Sequence, residues 1–146
     1  MVGKTKTATP AEKRRMELIK GLGCVACVLA QWPDVQCEVH HVVEGRVRLG
    51  HDKTMGLCLW HHRGECANGY QGYTKQQMSG MIGPSLAHGS YNFAENFGSQ
   101  ATLVAVQDYI IERFQADPWL EFAMPRGVVL DIFYFWTDLR QHDGTL

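Results

Sequence analysis

The spacing of apolar residues changes along the chain, and the first pattern predicts an amphipathic helix over residues 9–23. Three apolar side chains recur on one helical face: Met16, Ile19 and Leu22. Thr9 is a suitable N-cap, Pro10 fits the first helical position, and Glu12 completes a capping box. Gly23 is typical of a helix end. The sequence therefore predicts a capped helix near the N-terminus.

The next pattern predicts short strands. The valine-rich segment 35–43 predicts a β-strand, and residues 54–58 predict a second, shorter one. The polar residues 44–53 between them predict a loop, and a helix is expected to begin near Trp60. The middle of the chain is thus expected to run strand, loop, strand, helix.

The second half of the chain predicts mainly helices. Residues 63–84 are rich in Gly, Gln and Ser, which predicts a long irregular segment. A short helix is expected over residues 85–97, and Ser99 is a candidate N-cap for a longer helix with an apolar stripe. Periodicity does not decide between helix and strand in the aromatic last 30 residues. Together these patterns predict an α+β fold.

Length and composition fit one globular domain, since the chain has 146 residues and 45% of them are hydrophobic. We expect residues 1–8 to form a disordered basic arm and residues 9–146 a single domain. Its core would span about residues 21–98, and residues 99–146 would form a helical C-terminal extension. No apolar run resembles a membrane span or the core of a signal peptide. We therefore expect a cytoplasmic protein with no membrane partner, in an oligomeric state that the sequence leaves open.

Charge is distributed unevenly although the net charge is only −1. Residues 1–75 carry a formal charge of +4 and residues 76–146 a charge of −5. A basic first half can follow a phosphate backbone while the acidic half faces away. A solvated, unevenly charged surface is the simpler interpretation, so charge alone assigns no nucleic-acid partner.

Two pairs of metal-ligating residues share a two-residue gap, Cys24-x-x-Cys27 and Cys58-x-x-His61. This gap lets both side chains of a pair point at one ion from a single turn. Cysteines in an intracellular chain favour metal binding or free thiols over disulfides. The two pairs together predict a tetrahedral, structural Zn²⁺ site. The remaining cysteines are expected to be free thiols, the second being an alternative ligand: Cys37 and Cys66.

Histidines concentrate in the same region, where five of the seven lie between His40 and His62. His40 and His41 are consecutive on the first predicted strand, so their side chains point to opposite faces and differ in role. A catalytic metal needs ligands that leave positions open for water and phosphate. A nearby unbound histidine can take a proton from the attacking water. Any one of these histidines is explained by packing or exposure, but the set favours a catalytic function.

These motifs resemble those of HNH endonucleases, also called ββα-metal or His-Me finger nucleases. The shared pattern is C-x-x-C, then V-H-H at the end of a strand, then L-C-x-x-H-H opening a helix. More closely, CEVHHVVEGRVRLGHDKTMGLCLWHHRG and PSLAHGSYNFAENFG resemble the phage RecA-dependent, Ref-like recombination-enhancement nucleases. The resemblance covers about residues 21–114. It implies an α+β fold with a small zinc-stabilised ββα-metal core and flanking helices.

The resemblance also implies an activity and its residues. The protein would be a metal-dependent DNA endonuclease in phage recombination that hydrolyses phosphodiester bonds and depends on a RecA-type recombinase filament. His41 is implied as the general base, and the other catalytic histidines, His40 and His62, as ligands of a divalent Mg²⁺ or Mn²⁺. His88 is a further candidate ligand of that metal, and its rank against His62 stays open.

The resemblance implies a structural role for one further group of residues, and charge and position alone indicate a DNA-binding role for another. Four residues would hold the structural Zn²⁺: Cys24, Cys27, Cys58 and His61. Three arginines lie near enough in sequence to contact DNA phosphates: Arg46, Arg48 and Arg63.

One departure from the HNH pattern keeps other functions open. Many HNH enzymes carry an Asn shortly before the second ligand pair, where this chain has His51 and Asp52 as candidate replacements. A non-catalytic zinc module that binds DNA or protein is the main alternative, and a redox or metal sensor based on the first cysteine pair is the third. The retained histidines favour the nuclease, because a binding module has no use for them.

Overall fold

The structure, a computed structural model, describes residues 6–66 and 72–143 and has the predicted α+β fold. Helices in the described ranges are α1 (Pro10–Leu22), α2 (Val25–Leu29), α3 (Leu59–Arg63), α4 (Lys75–Ile82), α5 (Ser90–Phe97), α6 (Gln100–Ala116) and α7 (Arg126–Asp143). Strands are β1 (Glu38–His41), β2 (Val43–Glu44), β3 (Val47–Arg48) and β4 (Thr54–Leu57). Two 3₁₀ turns join the later helices: Leu86–His88 and Pro118–Glu121.

Helix α1 has the capping box that the sequence predicts. The Thr9 hydroxyl accepts from the Glu12 N–H at 3.1 Å, and the Glu12 carboxylate accepts from the Thr9 N–H at 2.9 Å. The helix ends at Gly23, whose φ of 89° suits glycine. A Cβ at this position would also stand 2.9 Å from the Val35 carbonyl oxygen. The chain therefore turns sharply out of α1 and places Cys24 in the interior.

Strands β1 and β4 pair antiparallel, with Glu38 opposite Leu57 and His41 opposite Thr54. Every residue of β4 is buried, whereas β1 is half-buried. Strand β1 is shorter than the predicted segment 35–43. The order strand, strand, helix is nevertheless as the sequence predicts, because α3 follows β4 directly.

The segment between the two strands contains a small hairpin where the sequence predicted only a loop. Strands β2 and β3 pair antiparallel around a two-residue turn, Gly45-Arg46. Both turn residues have positive φ, 57° and 70°, which is the requirement of a type I′ turn. The sequence signal was weak because such turns usually carry Asn-Gly or Asp-Gly rather than Gly-Arg.

Helix α6 forms the centre of the core. Its N-cap is Ser99, as predicted, whose hydroxyl accepts from the Thr102 N–H at 3.1 Å. Buried apolar side chains line the helix: Leu103, Val104, Val106, Ile110, Ile111 and Phe114. The side-chain amide oxygen of the buried Gln107 accepts from the Gly56 N–H at 2.9 Å. This bond joins α6 to β4, and α1, α2 and α7 pack around the same helix.

The segment 63–84, predicted to be irregular, contains helix α4. Residues 67–71 of that segment lie outside the described part of the chain. Helix α4 starts with a capping box between Thr74 and Gln77, and it buries Met78 and Ile82. The polar composition concealed the helix, although the capping box was a usable signal.

The predicted helix over 85–97 is divided, and the aromatic tail is helical. Gly89, with a φ of 128°, separates the 3₁₀ turn from α5. Helix α7 occupies residues 126–143 and buries one face: Val129, Ile132, Trp136 and Arg140. This spacing of three and four residues is helical, and it shows the tail to be part of the core.

The remaining predictions concern the N-terminal basic arm and the lack of a membrane-spanning segment. Residues 1–5 of the predicted basic arm lie outside the described part, but Lys6 is described and its carbonyl contacts His51. Across the described residues, none of the helices combines the length and apolar character needed to cross a membrane.

We predict that Gly56→Ala destabilises the fold. A Cβ there would lie 2.7 Å from Cys37 Sγ and 2.8 Å from the Gly23 carbonyl oxygen, and the latter is backbone that cannot turn aside. Overpacking of this kind costs about 1–3 kcal/mol. The matched control is Gly80→Ala on the exposed side of α4, where nothing lies within 4 Å and helix propensity improves by up to about 1 kcal/mol. Urea unfolding of both variants measures the difference, and equal stability would contradict the described packing.

Candidate metal centre and active site

Four buried side chains converge as a candidate metal centre: Cys24, Cys27, Cys58 and His61. Their ligand atoms all lie within 4.8 Å of one another. His61 Nδ1 is 3.4 Å from Cys24 Sγ, 3.4 Å from Cys27 Sγ and 3.3 Å from Cys58 Sγ. The sulfurs of Cys27 and Cys58 are 3.7 Å apart. Two thiolates of a tetrahedral zinc site stand about 3.8 Å apart, so the donor set fits that ion.

Helix caps place these ligands. Cys24 is the N-cap of α2 and Cys58 the N-cap of α3, and each sulfur accepts a hydrogen bond from the N–H three residues later. The residues that donate these N–H groups, Cys27 and His61, supply the other two ligands. Each pair is therefore built from a cap and the first turn that it opens.

Helix α4 fixes the orientation of the histidine ligand. His61 Nε2 lies 2.7 Å from the Ile82 carbonyl oxygen, so Nε2 carries the proton and donates it. In the neutral imidazole that a metal would bind, Nδ1 is then the unprotonated nitrogen, and it faces the three sulfurs as in other metal-binding histidines. The Trp60 indole also donates to the Gly83 carbonyl at 2.8 Å, holding α3 against the end of α4.

The pKa values of the cluster show that metal binding would be coupled to proton release. Burial lowers the pKa of His61, but the sulfurs of Cys24 and Cys58 outweigh this effect and raise it to about 10. Hydrogen bonds from Cys24 and Cys27 lower the pKa of Cys58 despite its burial. Hydrogen bonds to Cys24 and Cys58, together with burial, raise the pKa of Cys27, so the metal-free cluster retains protons that a bound cation would displace. Three soft sulfurs and an imidazole suit zinc.

The other cysteines stand apart from this centre. The Cys37 thiol donates to the Ile19 carbonyl at 3.3 Å, and burial raises its pKa to about 12. Cys66 is half-buried and lies 4.0 Å from the Tyr73 carbonyl oxygen. Both are free thiols, and within the described residues neither joins the metal-ligand cluster.

A second group of side chains forms around His40 and His62. Their ring centroids lie 5.1 Å apart. His40 Nε2 is 2.9 Å from the Gln100 amide oxygen, and His62 Nδ1 is 3.1 Å from a Glu38 carboxylate oxygen. Both acceptors fix the tautomers, leaving Nδ1 of His40 and Nε2 of His62 as the unprotonated nitrogens. A histidine backed by a carboxylate or amide oxygen is the usual arrangement of a metal ligand.

His41 points away from this pair, as expected for the next residue of a strand. Its Nε2 lies 2.9 Å from Nδ1 of His51, and the two ring centroids are 5.1 Å apart. Burial lowers the pKa of His41, and the positive charge of Arg48 lowers it further. The imidazole is therefore neutral near physiological pH and able to accept a proton.

His88 lies on another side of α3. Its ring is 5.2 Å from that of Trp60, and its Nε2 would be 2.5 Å from a Cβ added to Gly64. In the described ranges His40, His62 and His88 do not form a cluster of three metal-ligating atoms within 4.8 Å of one another.

The three candidate DNA-binding arginines differ in their surroundings. Arg46 lies at the turn of the β2–β3 hairpin and Arg48 on β3, and both are exposed. Arg48 is close enough to lower the pKa of both His40 and His41. Arg63 pairs with Glu38, with 2.9 Å between guanidinium and carboxylate. Arg46 and Arg48 are thus available to a ligand, whereas Arg63 also holds the Glu38 carboxylate in place.

Two residues of this site were not assigned by sequence reasoning, Glu38 and Gln100, whereas His51 was named only as a candidate replacement for the HNH Asn. Glu38 stands two residues before His40, and its charge beside the histidine motif was a usable signal. Gln100 is 60 residues away from His40 in sequence, and only the packing of α6 brings it near.

We predict that Cys58→Ser removes the bound metal and most of the stability, because ligand loss opens a buried cluster whose metal binding is coupled to folding. Cys37→Ser is the matched control, since that thiol is half-buried but lies outside the cluster. Zinc per chain by elemental analysis and thermal melts with and without a chelator measure the effect. Stoichiometric zinc and an unchanged melt in Cys58→Ser would contradict the assigned centre.

A comparison with known families covers the part of the chain that carries these residues. The family model described as "Recombination enhancement, RecA-dependent nuclease" matches residues 8–112. The matched range extends from α1 to most of α6, and it contains both ligand pairs of the metal centre and all the histidines named above. It leaves α7 outside. The chain belongs to the family of recombination-enhancement, RecA-dependent nucleases.

Proposed function

We propose that this protein is an HNH-type, metal-dependent DNA endonuclease in which a structural Zn²⁺ supports a β1–β4–α3 catalytic unit. The family supplies nuclease activity and a role in recombination. One observation supports the mechanism most directly. The rings of His40 and His62 lie side by side, and each has one ring nitrogen hydrogen-bonded to a side-chain oxygen. This arrangement is that of metal ligands held in orientation before metal binds.

The atoms offered to a catalytic metal are Nδ1 of His40 and Nε2 of His62. Two protein ligands leave coordination positions for water and a phosphate oxygen. A divalent Mg²⁺ or Mn²⁺ held by these two nitrogens would supply Lewis-acid stabilisation of the charge that develops on the phosphate. Gln100 and Glu38 keep the two imidazoles oriented, and Arg63 neutralises Glu38 on its other side.

His41 acts as the general base. It is neutral near physiological pH, because burial and Arg48 both lower its pKa. It accepts a proton from the water that attacks the scissile phosphorus, and the bond to the leaving 3′ oxygen breaks on the opposite side. A general base of this kind contributes roughly 10²- to 10⁴-fold to the rate.

The substrate is DNA, and the partner is a RecA-type recombinase filament. Arg46 and Arg48 project from the β2–β3 hairpin beside His41 and would contact phosphates without reading bases. Binding of this kind gives little sequence preference and a strong dependence on salt. The filament is proposed because the family is described as RecA-dependent.

The choice between His62 and His88 as a ligand of the catalytic metal rests on where their side chains lie. His62 lies beside His40, whereas His88 packs on Trp60. We therefore place His62 in the catalytic metal site and assign His88 to the support of α3.

We predict that His41→Ala lowers DNA cleavage by roughly 10²- to 10⁴-fold because the general base is lost. The assay is plasmid nicking with Mg²⁺ or Mn²⁺, with and without single-stranded DNA coated by recombinase. His142→Ala, exposed in the last turn of α7, is the matched control and should cut like the unmodified protein. Zinc content and melting temperature should stay unchanged in both variants.

Cleavage at an unchanged rate by His41→Ala would refute the assignment of the base. No cleavage by the unmodified, zinc-loaded protein under any of these conditions would favour a non-catalytic zinc module that binds DNA or protein.

We predict that His62→Ala raises the Mn²⁺ concentration needed for half-maximal cleavage by roughly 10- to 100-fold, because a metal ligand is lost. High Mn²⁺ should restore part of the rate, which it cannot do for His41→Ala. His88→Ala should leave the Mn²⁺ requirement unchanged and lower the melting temperature. A shifted Mn²⁺ requirement in His88→Ala but not in His62→Ala would reverse the assignment.

A further inference from the structure

A chain of hydrogen-bonding groups stands behind His41. Its Nε2 lies 2.9 Å from Nδ1 of His51, and Nε2 of His51 lies 2.5 Å from the Lys6 carbonyl oxygen. Within the described residues Nδ1 of His41 has no hydrogen-bond partner. The three groups thus connect the N-terminal arm to the candidate general base.

The chemistry of the last group sets the direction of these bonds. A carbonyl oxygen only accepts, so Nε2 of His51 must carry a proton and donate it to Lys6. In a neutral imidazole the other nitrogen is then an acceptor, which here is Nδ1 of His51. Nε2 of His41 must therefore be the donor in the bond between the rings. The consequence is a His41 whose unshared electron pair is on Nδ1.

His51 is held in place by the surrounding structure. The Thr54 hydroxyl donates to the His51 carbonyl at 2.8 Å, and the Arg15 guanidinium donates to the same hydroxyl at 3.0 Å. Thr54 is completely buried at the start of β4, opposite His41 in the sheet. The backbone of His51 is therefore fixed relative to the strand that carries His41.

We propose that His51 is a positioning residue that fixes the tautomer and orientation of His41, so that Nδ1 of His41 takes the proton from water. The catalytic part rests on the proposed function, whereas the hydrogen-bond arrangement does not. When Nδ1 accepts the proton, His41 becomes an imidazolium that keeps its Nε2–H bond to His51. The proton stays on Nδ1 of His41, so none has to pass through the hydrogen bonds to His51 and Lys6. The hydroxide formed from the water attacks phosphorus.

The arrangement has a direct spectroscopic test that needs no catalysis. Long-range ¹H–¹⁵N correlations of the imidazole rings in the full-length, zinc-loaded protein report which nitrogen of each histidine is protonated. We expect the Nε2–H tautomer for His41 and for His51. An Nδ1–H tautomer for His41 in the unmodified protein would overturn the proposal.

Two substitutions at position 51 separate positioning from simple structural support. The amide oxygen of Asn is attached to Cγ as Nδ1 is in His, so His51→Asn can keep the acceptor for His41. The amide of Gln is one atom farther along the side chain, and it replaces Nε2 instead. We expect His51→Gln to lower kcat by on the order of 10- to 100-fold with little change in KM for DNA, as for other orienting partners. We expect His51→Asn to retain most of the rate.

Zinc content and melting temperature are measured on the same samples. Equal kcat for His51→Gln and the unmodified protein, at equal zinc content, would overturn the positioning role. So would equal losses in His51→Asn and His51→Gln. If the unmodified protein shows the expected tautomers but never cuts DNA, the proposed nuclease function fails while the hydrogen-bond assignment stands.

Discussion

The convergence of three thiols and an imidazole is the constraint on which the rest of the fold depends. It joins the start of α2 to the start of α3, which are separated along the chain by the four strands. The elements beside it are too short to be stable alone: α3 has 5 residues, and β1 and β4 have 4 each. A metal held by the four ligands would compensate for contacts that such short elements cannot make. The remaining helices then cover this centre rather than create it.

One short helix, α3, carries both a ligand of the candidate zinc centre and a proposed catalytic histidine. His61 faces the interior with its Nδ1 towards the sulfurs, and the adjacent His62 faces Glu38 and His40. Consecutive helical residues project about 100° apart, so neighbouring side chains serve two separate sites. Any tilt of α3 therefore moves both at once. The bonds from α3 to the end of α4, through Trp60 and His61, limit that tilt.

The parts of this architecture that sequence reasoning predicted are those specified by local chemistry. The ligand pair spacing, the α1 capping box and the Ser99 cap each depend on residues within one turn. The partners of the histidines could not be predicted, because Gln100 reaches His40 only after α6 has packed against the sheet. Helix α4 was missed although its signal is local. Its capping box was present, but the low hydrophobicity of the segment outweighed that signal. The helical tail was ambiguous because aromatic residues suit both a buried strand and a buried helix.

The small hairpin has a consequence for how such a nuclease can diversify. It leaves the sheet after His41 and returns before Thr54, two residues that face each other across β1 and β4. Residues added at the Gly45-Arg46 turn would extend into solvent and rejoin the sheet at the same register, as exposed loop tips allow. The tip can thus lengthen, shorten or change charge over evolution, or in the hands of an engineer, without displacing the reactive groups. Under the proposed function, substrate preference and chemical competence would therefore be inherited on separable pieces of the chain.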